Sequence, residues 1–290
     1  MPELPEVETI RRGLEPVLVG QRIQRVEQRR ADLRFPFPEN FGKRLTNRTV
    51  VSLQRRAKYM LAHLDDGTVL IIHLGMSGRI SIVGQGQLGQ FTHNQGNRDT
   101  HDHVVLRLAS GTEIVYNDPR RFGLMDLTTA AALGTHPLLA SIGIEPLGPG
   151  LTPEYLARQA AGRRSDLKSF LLDQRIIAGL GNIYVCEALF RTRLKPSRAA
   201  ACLATATGKP NARAAALIPH IKDVLNDAIA AGGSTIKDYT QADGSLGYFQ
   251  HSFHVYGRAG EPCLTPACRG MVRRTVQAGR STFFCPVCQR

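Results

Sequence analysis

The chain has 290 residues, 42% of them hydrophobic and 21% charged, which is enough to bury a core and more than one small domain needs. Its 37 Lys and Arg against 24 Asp and Glu give a net charge of +13, an excess that favours a polyanionic partner, nucleic acid above all. No apolar run approaches a membrane-spanning length and the first ten residues hold three glutamates, so neither a membrane partner nor a signal peptide is expected and the reading is cytoplasmic.

The opening "MPELPEVETI" allows two readings of Pro2. Trimming of Met1 would leave a secondary amine that titrates near 8, a usable nucleophile at neutral pH. Alternatively Pro2 fills a helical first turn, where its missing N–H costs nothing. Val7, Ile10, Leu14, Val17 and Leu18 share one helical face, which predicts a helix over 3–18 with Pro16 limiting its far end.

From 22 to 116 the pattern changes to short strands. "YMLAHLDDGTVLIIHL" predicts a hairpin around Asp66-Gly67, and "HVVLRLASGTEIVY" another around Ser110-Gly111. Lys58 follows two arginines in "RRAKYM" at a strand edge, and Met76 sits between glycines in "HLGMSGR". The Gln- and Gly-rich stretch 84–98 reads as a loop without assignable chemistry. In "YNDPRRFG" Arg120, Arg121 and Phe122 follow a strand on a tight turn. An exposed ring with a guanidinium beside it can fill a gap in a base stack and bond a base edge, although core packing is the commoner fate of such a ring.

"LGPGLTP" near 147–153 marks a linker, and helices are predicted from "TPEYLARQAA", from "SDLKSFLLDQRII", from Asn182 onward and over 212–231. In "GLGNIY" the glycines permit close approach and Asn182 suits an N-cap, so the helix start could hold a phosphate or simply turn a corner. A polar loop over 233–249 follows.

The last 28 residues contain Cys263, Cys268, Cys285 and Cys288, two close pairs separated by a hairpin-length spacer. In a reducing compartment this spacing suits one structural, tetrahedral Zn²⁺ rather than disulfides. Around the cysteines lie Arg258, Arg269, Arg273, Arg274, Arg280 and Arg290 with Glu261 as the sole acid, as a nucleic-acid contact would require.

Pro2-Glu3-Leu4-Pro5-Glu6, Lys58, "HLGMSGR", "DPRRFG", "GLGNIY" and the four-cysteine tail together resemble the bacterial formamidopyrimidine-DNA glycosylases, over essentially the whole chain. One departure is visible: the first cysteine pair is spaced by four residues where the family usually has two. The resemblance implies an α+β fold, with an N-terminal β-sandwich flanked by helices over 1–146, a helix–two-turn–helix domain over 147–240 and a zinc-finger β-hairpin over 250–290. It implies a base-excision-repair enzyme that removes oxidised purines from duplex DNA and then cleaves the strand by β,δ-elimination. The catalytic residues would be Pro2 as nucleophile at C1′, Glu3 as proton-transfer partner supported by Glu6, Lys58 at β-elimination and Arg280 at δ-elimination.

The resemblance further assigns DNA contacts to His73, His101, Arg120, Arg163, Lys168 and Asn182. Met76, Arg120 and Phe122 would fill the space of the extruded nucleotide, with the orphaned cytosine read by Arg120. The loop 233–249 would cap the extruded purine. The implied partner is damaged double-stranded DNA, bound by a monomer in the bacterial cytoplasm at the nucleoid. An endonuclease VIII-like enzyme for oxidised pyrimidines is the nearest alternative, and Leu4 and the intact "DPRRFG" favour the purine branch. A non-catalytic zinc-finger protein explains the charge and tail but leaves Pro2-Glu3 and Lys58 idle. An N-terminal-proline tautomerase is far smaller and needs no zinc.

Overall fold

A computed structural model describes residues 2–83, 100–234 and 248–290, so the stretch 84–98 and nearly all of the loop 233–249 lie outside the described residues. The fold is α+β, and the described chain forms two compact units, Met1–Ala140 with Ala231–Tyr248, and Ser141–Ala230 with Phe249–Arg290.

In the first unit, α1 (Leu4–Leu18) precedes β1 (Ile23–Gln28), the short α2 (Phe41–Leu45) and seven more strands. β2 (Val50–Arg56), β3 (Tyr59–Leu64), β4 (Thr68–His73) and β8 (Leu124–Thr129) make one antiparallel sheet in that order. The second sheet runs β1-β6-β7-β5, from β5 (Arg79–Val83), β6 (Asp102–Leu108) and β7 (Glu113–Asn117). Alternate residues such as Met60, Ala62 and Leu64 in β3 and Val104, Leu106 and Leu108 in β6 enter one shared core, as the period of two requires. α1 closes that core with Val7, Ile10, Leu14 and Leu18. Both expected hairpins form, with Gly67 and Gly111 in the left-handed region at φ +81° and +86°. α1 ends at Leu18, as expected, with Pro16 inside its last turn, and closes with Val19 N–H donating to the Glu15 carbonyl at 3.0 Å.

The second unit holds α3 (Pro153–Ala160), α4 (Leu167–Leu172), α5 (Asn182–Arg191) and α6 (Ala212–Ala230), followed by the hairpin β9 (Arg273–Gln277) and β10 (Arg280–Phe284). Thr152 and Asp166 cap α3 and α4 by accepting from the Tyr155 and Ser169 N–H groups. α4 is shorter than its apolar pattern suggests, because the chain turns at Asp173, whose carboxylate accepts from the Arg175 N–H at 3.0 Å. The β9–β10 turn is Ala278-Gly279, both at positive φ (45° and 72°), as a two-residue type I′ turn demands.

Candidate functional site

In the first unit the candidate residues gather at the start of α1 and on three turns. Pro2 is buried immediately ahead of the helix, with Glu3 as its N-cap. The Glu6 carboxylate reaches back to the Glu3 backbone N–H at 2.8 Å, one arm of a capping box. Its other oxygen accepts from the backbone N–H and the hydroxyl of Ser234 at 2.9 and 3.0 Å. Glu3 and Glu6 are 4% and 2% exposed, so the two carboxylates beside Pro2 are desolvated and fixed. Ser234, 228 residues away in sequence, was invisible to motif reading.

Lys58 lies in the two-residue turn joining β2 to β3 and is nearly buried. His73 ends β4; its Nδ1 accepts from the Gly75 N–H at 3.0 Å, and its ring lies 4.6 Å from that of Tyr59. Burial, then the charges on Lys58 and Arg34, push its pKa down to about 4. The ring is therefore neutral at physiological pH, with Nδ1 occupied as an acceptor and the proton on Nε2.

Met76 and Phe122 stand out at 38% and 44% exposed. The Arg120 guanidinium lies 4.8 Å from the Phe122 ring centroid, an Arg–aromatic pair on an open turn. Their turns are joined by Asp118, which is wholly buried. Its carboxylate accepts from Ser77 Oγ at 2.5 Å and from the Gly123 N–H at 2.8 Å, and Ser77 Oγ accepts from the Arg120 N–H at 3.2 Å. Gly75, at φ +61°, lies against the same turn: a Cβ there would meet the Phe122 carbonyl carbon at 2.3 Å. His101, expected at the DNA, is exposed beside the buried His103.

In the second unit α4 and α5 hold the hairpin that carries Arg280. Lys168 is fully buried, and its Nζ donates to the Ser281 carbonyl at 2.9 Å and to Thr282 Oγ1 at 2.7 Å. Asn182 is the first residue of α5 rather than its cap, Gly181 taking the cap position. Its amide nitrogen donates to the same Ser281 carbonyl at 3.0 Å, which ties α5 to β10. Arg280 itself is exposed at the start of β10, and Arg163 is exposed with its guanidinium 5.6 Å from the Phe170 ring centroid.

The four cysteines converge. Their sulfurs all lie within 4.8 Å of one another, with Cys263–Cys288 and Cys268–Cys285 each at 3.8 Å. A tetrahedron with Zn–S bonds of about 2.3 Å has edges of about 3.8 Å, so the sulfur set fits one structural zinc with no open position. Backbone N–H groups of Thr265, Gly270 and Cys288 point at three of the sulfurs, which favours the thiolate form a metal requires. The longer first loop is accommodated by Ala267 at φ +61°, and Gly270 is dictated by Cys285, whose sulfur would lie 2.6 Å from a Cβ.

Three family models match the chain in order: the formamidopyrimidine-DNA glycosylase N-terminal domain over residues 1–125, the formamidopyrimidine-DNA glycosylase H2TH domain over 142–240, and the zinc finger found in FPG and IleRS over 260–290. The chain belongs to the formamidopyrimidine-DNA glycosylase family. Its relatives include formamidopyrimidine-DNA glycosylases of Azorhizobium caulinodans, 58% identical, and Cereibacter sphaeroides, 56% identical, each aligned over 100% of both chains. Among solved structures it is similar to the MutM (Fpg) protein of Thermus thermophilus, with a TM-score of 0.83 at 38% identity over 99% of this chain and 98% of that one. It is also similar to Lactococcus lactis Fpg in complex with DNA containing an abasic site, with a TM-score of 0.85 at 33% identity over 100% of both chains.

Proposed function

We propose that the chain excises oxidised purines, 8-oxoguanine and formamidopyrimidines, from duplex DNA and cleaves the resulting abasic strand. The observation that carries this reading is the start of α1, where Pro2 is followed by two buried carboxylates held by the helix's own backbone and by Ser234. With Met1 removed, the Pro2 nitrogen attacks C1′ of the damaged nucleotide. The glycosidic bond breaks and the base leaves with the electron pair and a proton. Opening of the sugar gives an iminium, which a secondary amine keeps cationic and which acts as an electron sink for loss of the 3′- and then the 5′-phosphate. Glu3 transfers protons at the sugar, and Glu6 holds the helix end that aims Pro2.

Lys58 serves β-elimination, and Arg280 grips phosphates and serves δ-elimination. His73, His101, Arg163 and Asn182 contact the DNA backbone, while Met76 and Phe122 enter the stack and Arg120 reads the unpaired cytosine. Lys168, with its ammonium bonded to the hairpin, acts on DNA by holding the strand that carries Arg280. In this division 1–146 is the catalytic domain, 147–240 the H2TH domain and 250–290 the zinc finger, working as a monomer on chromosomal DNA in the bacterial cytoplasm. Among the described residues no helix is long and apolar enough to cross a membrane.

The test is a panel of duplexes carrying one 8-oxoguanine opposite cytosine, one formamidopyrimidine, one thymine glycol, or no lesion. Cleavage of the two purine substrates at least tenfold faster than thymine glycol supports the reading. The reverse order would assign the chain to pyrimidine repair, and no cleavage of any duplex would reduce it to a DNA-binding protein.

A further inference from the structure

The machinery above does not use Glu8, yet this glutamate on α1 is bonded by three arginines. It is 9% exposed and accepts from Arg11 (Nε and Nη2, 3.1–3.3 Å), Arg12 Nε (2.8 Å) and Arg55 Nε (3.1 Å). Burial alone would raise its pKa, but hydrogen bonds from Arg11 and Arg12 and the charges of Arg11 and Arg55 outweigh it and hold Glu8 ionised. Of these three arginines only Arg55 lies on β2, so its bond to Glu8 ties the helix to that strand.

The other end of Arg55 shows what it does. Its Nη1 donates at 2.9 Å to the carbonyl of Ala57, two residues on. Ala57 is the first central residue of the β2–β3 turn, and Lys58 is the second. Ala57 sits at φ +53°, where a two-residue hairpin normally places glycine. An alanine held in a left-handed turn directly before a catalytic lysine needs an outside constraint, and Arg55 supplies one. The constraint is anchored on α1, the helix whose first turn presents Pro2, Glu3 and Glu6. Arg11 adds a second tie between the same elements, donating to the Leu53 carbonyl of β2 at 3.1 Å.

We propose that Glu8 and Arg55 are a positioning pair: through the Ala57 carbonyl they lock the left-handed turn that sets Lys58 and register it to the helix that carries Pro2. This rests on the proposed role of Lys58 in strand cleavage. The pair touches no substrate, so its loss should slow the chemical step and spare DNA binding. A misplacement of about 1 Å at a catalytic group can cost about 100-fold in rate.

The experiment compares wild type with Glu8→Gln, Arg55→Gln, Arg55→Lys and Ala57→Gly. Single-turnover cleavage of duplex DNA with a pre-formed abasic site is read beside the Kd for a non-cleavable abasic analogue and the Tm. Arg55→Lys is the informative variant, since a lysine can pair with Glu8 but cannot also reach Ala57. It should cleave at least tenfold slower, with Kd within threefold and Tm close to wild type. Glu8→Gln and Arg55→Gln should show the same split, and their combination should be no worse than the poorer single variant, because they act through one contact. Ala57→Gly, which adopts the turn without strain, should recover several-fold of the rate when placed on Arg55→Lys.

Cleavage by Arg55→Lys within twofold of wild type, a loss carried wholly by Kd, or no recovery by Ala57→Gly would each overturn the pair's role. Wild-type protein that fails to cleave the abasic duplex at all would instead overturn the proposed function on which the pair depends.

Discussion

At the scale of single residues, the neighbours decide the chemistry as much as the residue type does. His73 is an ordinary imidazole held neutral by burial and by the Lys58 and Arg34 charges, with its tautomer set by the Gly75 N–H. Because its folded pKa is about 4 against an ordinary 6.5, the unfolded chain takes up a proton between those values that the folded chain refuses. His73 therefore contributes stability at neutral pH that is lost as pH falls from about 6.5 towards 4. Compared with His73→Gln, wild type should lose about 2–3 kcal/mol more stability between pH 7.5 and 4.5 in urea unfolding. Equal losses would mean that the ring is protonated in the folded protein.

At the scale of elements, the exposed Met76 and Phe122 depend on a hub that the motif shows only as a letter. "DPRRFG" draws attention to Arg120, Arg121 and Phe122, whereas Asp118 ties that turn to Ser77 of the Met76 turn, 41 residues earlier in sequence. Asp118→Ala strands the Ser77 hydroxyl and the Gly123 N–H, and should cost about 3 kcal/mol in chemical denaturation. Phe122→Ala, at an exposed site, should change stability by no more than about 0.5 kcal/mol while weakening binding to lesion-bearing duplex. A stable Asp118→Ala would remove the hub from the account.

Local patterns were legible: the α1 face, both Gly-containing hairpins and the cysteine spacing each follow from a short stretch of chain. Partnerships across the chain were not, because Glu6 with Ser234, Asp118 with Ser77, and Lys168 with Ser281 join residues whose spacing carries no periodic signal. Lys168, a DNA contact by the resemblance alone, is buried with its ammonium bonded to the hairpin, a partnership no local pattern announces. Asn182 likewise suited a cap by type, and its amide instead joins α5 to β10.

At the scale of the whole molecule, +13 of net charge is spread over a chain whose two units each carry part of the proposed chemistry, Pro2 and Lys58 in one, Arg280 in the other. β9–β10 is a two-stranded hairpin, marginal alone, that Lys168 and Asn182 brace from the helices and that the metal is expected to brace from the cysteine end. Removing zinc with a strong chelator should abolish strand cleavage while the strand signal of the first unit persists in circular dichroism, and zinc should restore activity. Full activity in metal-free protein, verified by metal analysis, would show that the hairpin stands without it.

In the proposed mechanism the Pro2 nitrogen becomes covalently bonded to the damaged nucleotide, and every later step depends on that bond. Wild-type protein free of Met1 is incubated with duplex DNA bearing one 8-oxoguanine opposite cytosine, and borohydride is added to reduce any iminium. A stable protein–DNA adduct is expected, its mass mapping to the N-terminal peptide, and it should be absent from Pro2→Gly. An adduct on Lys58 or another lysine, or none from folded and zinc-loaded protein, would contradict it.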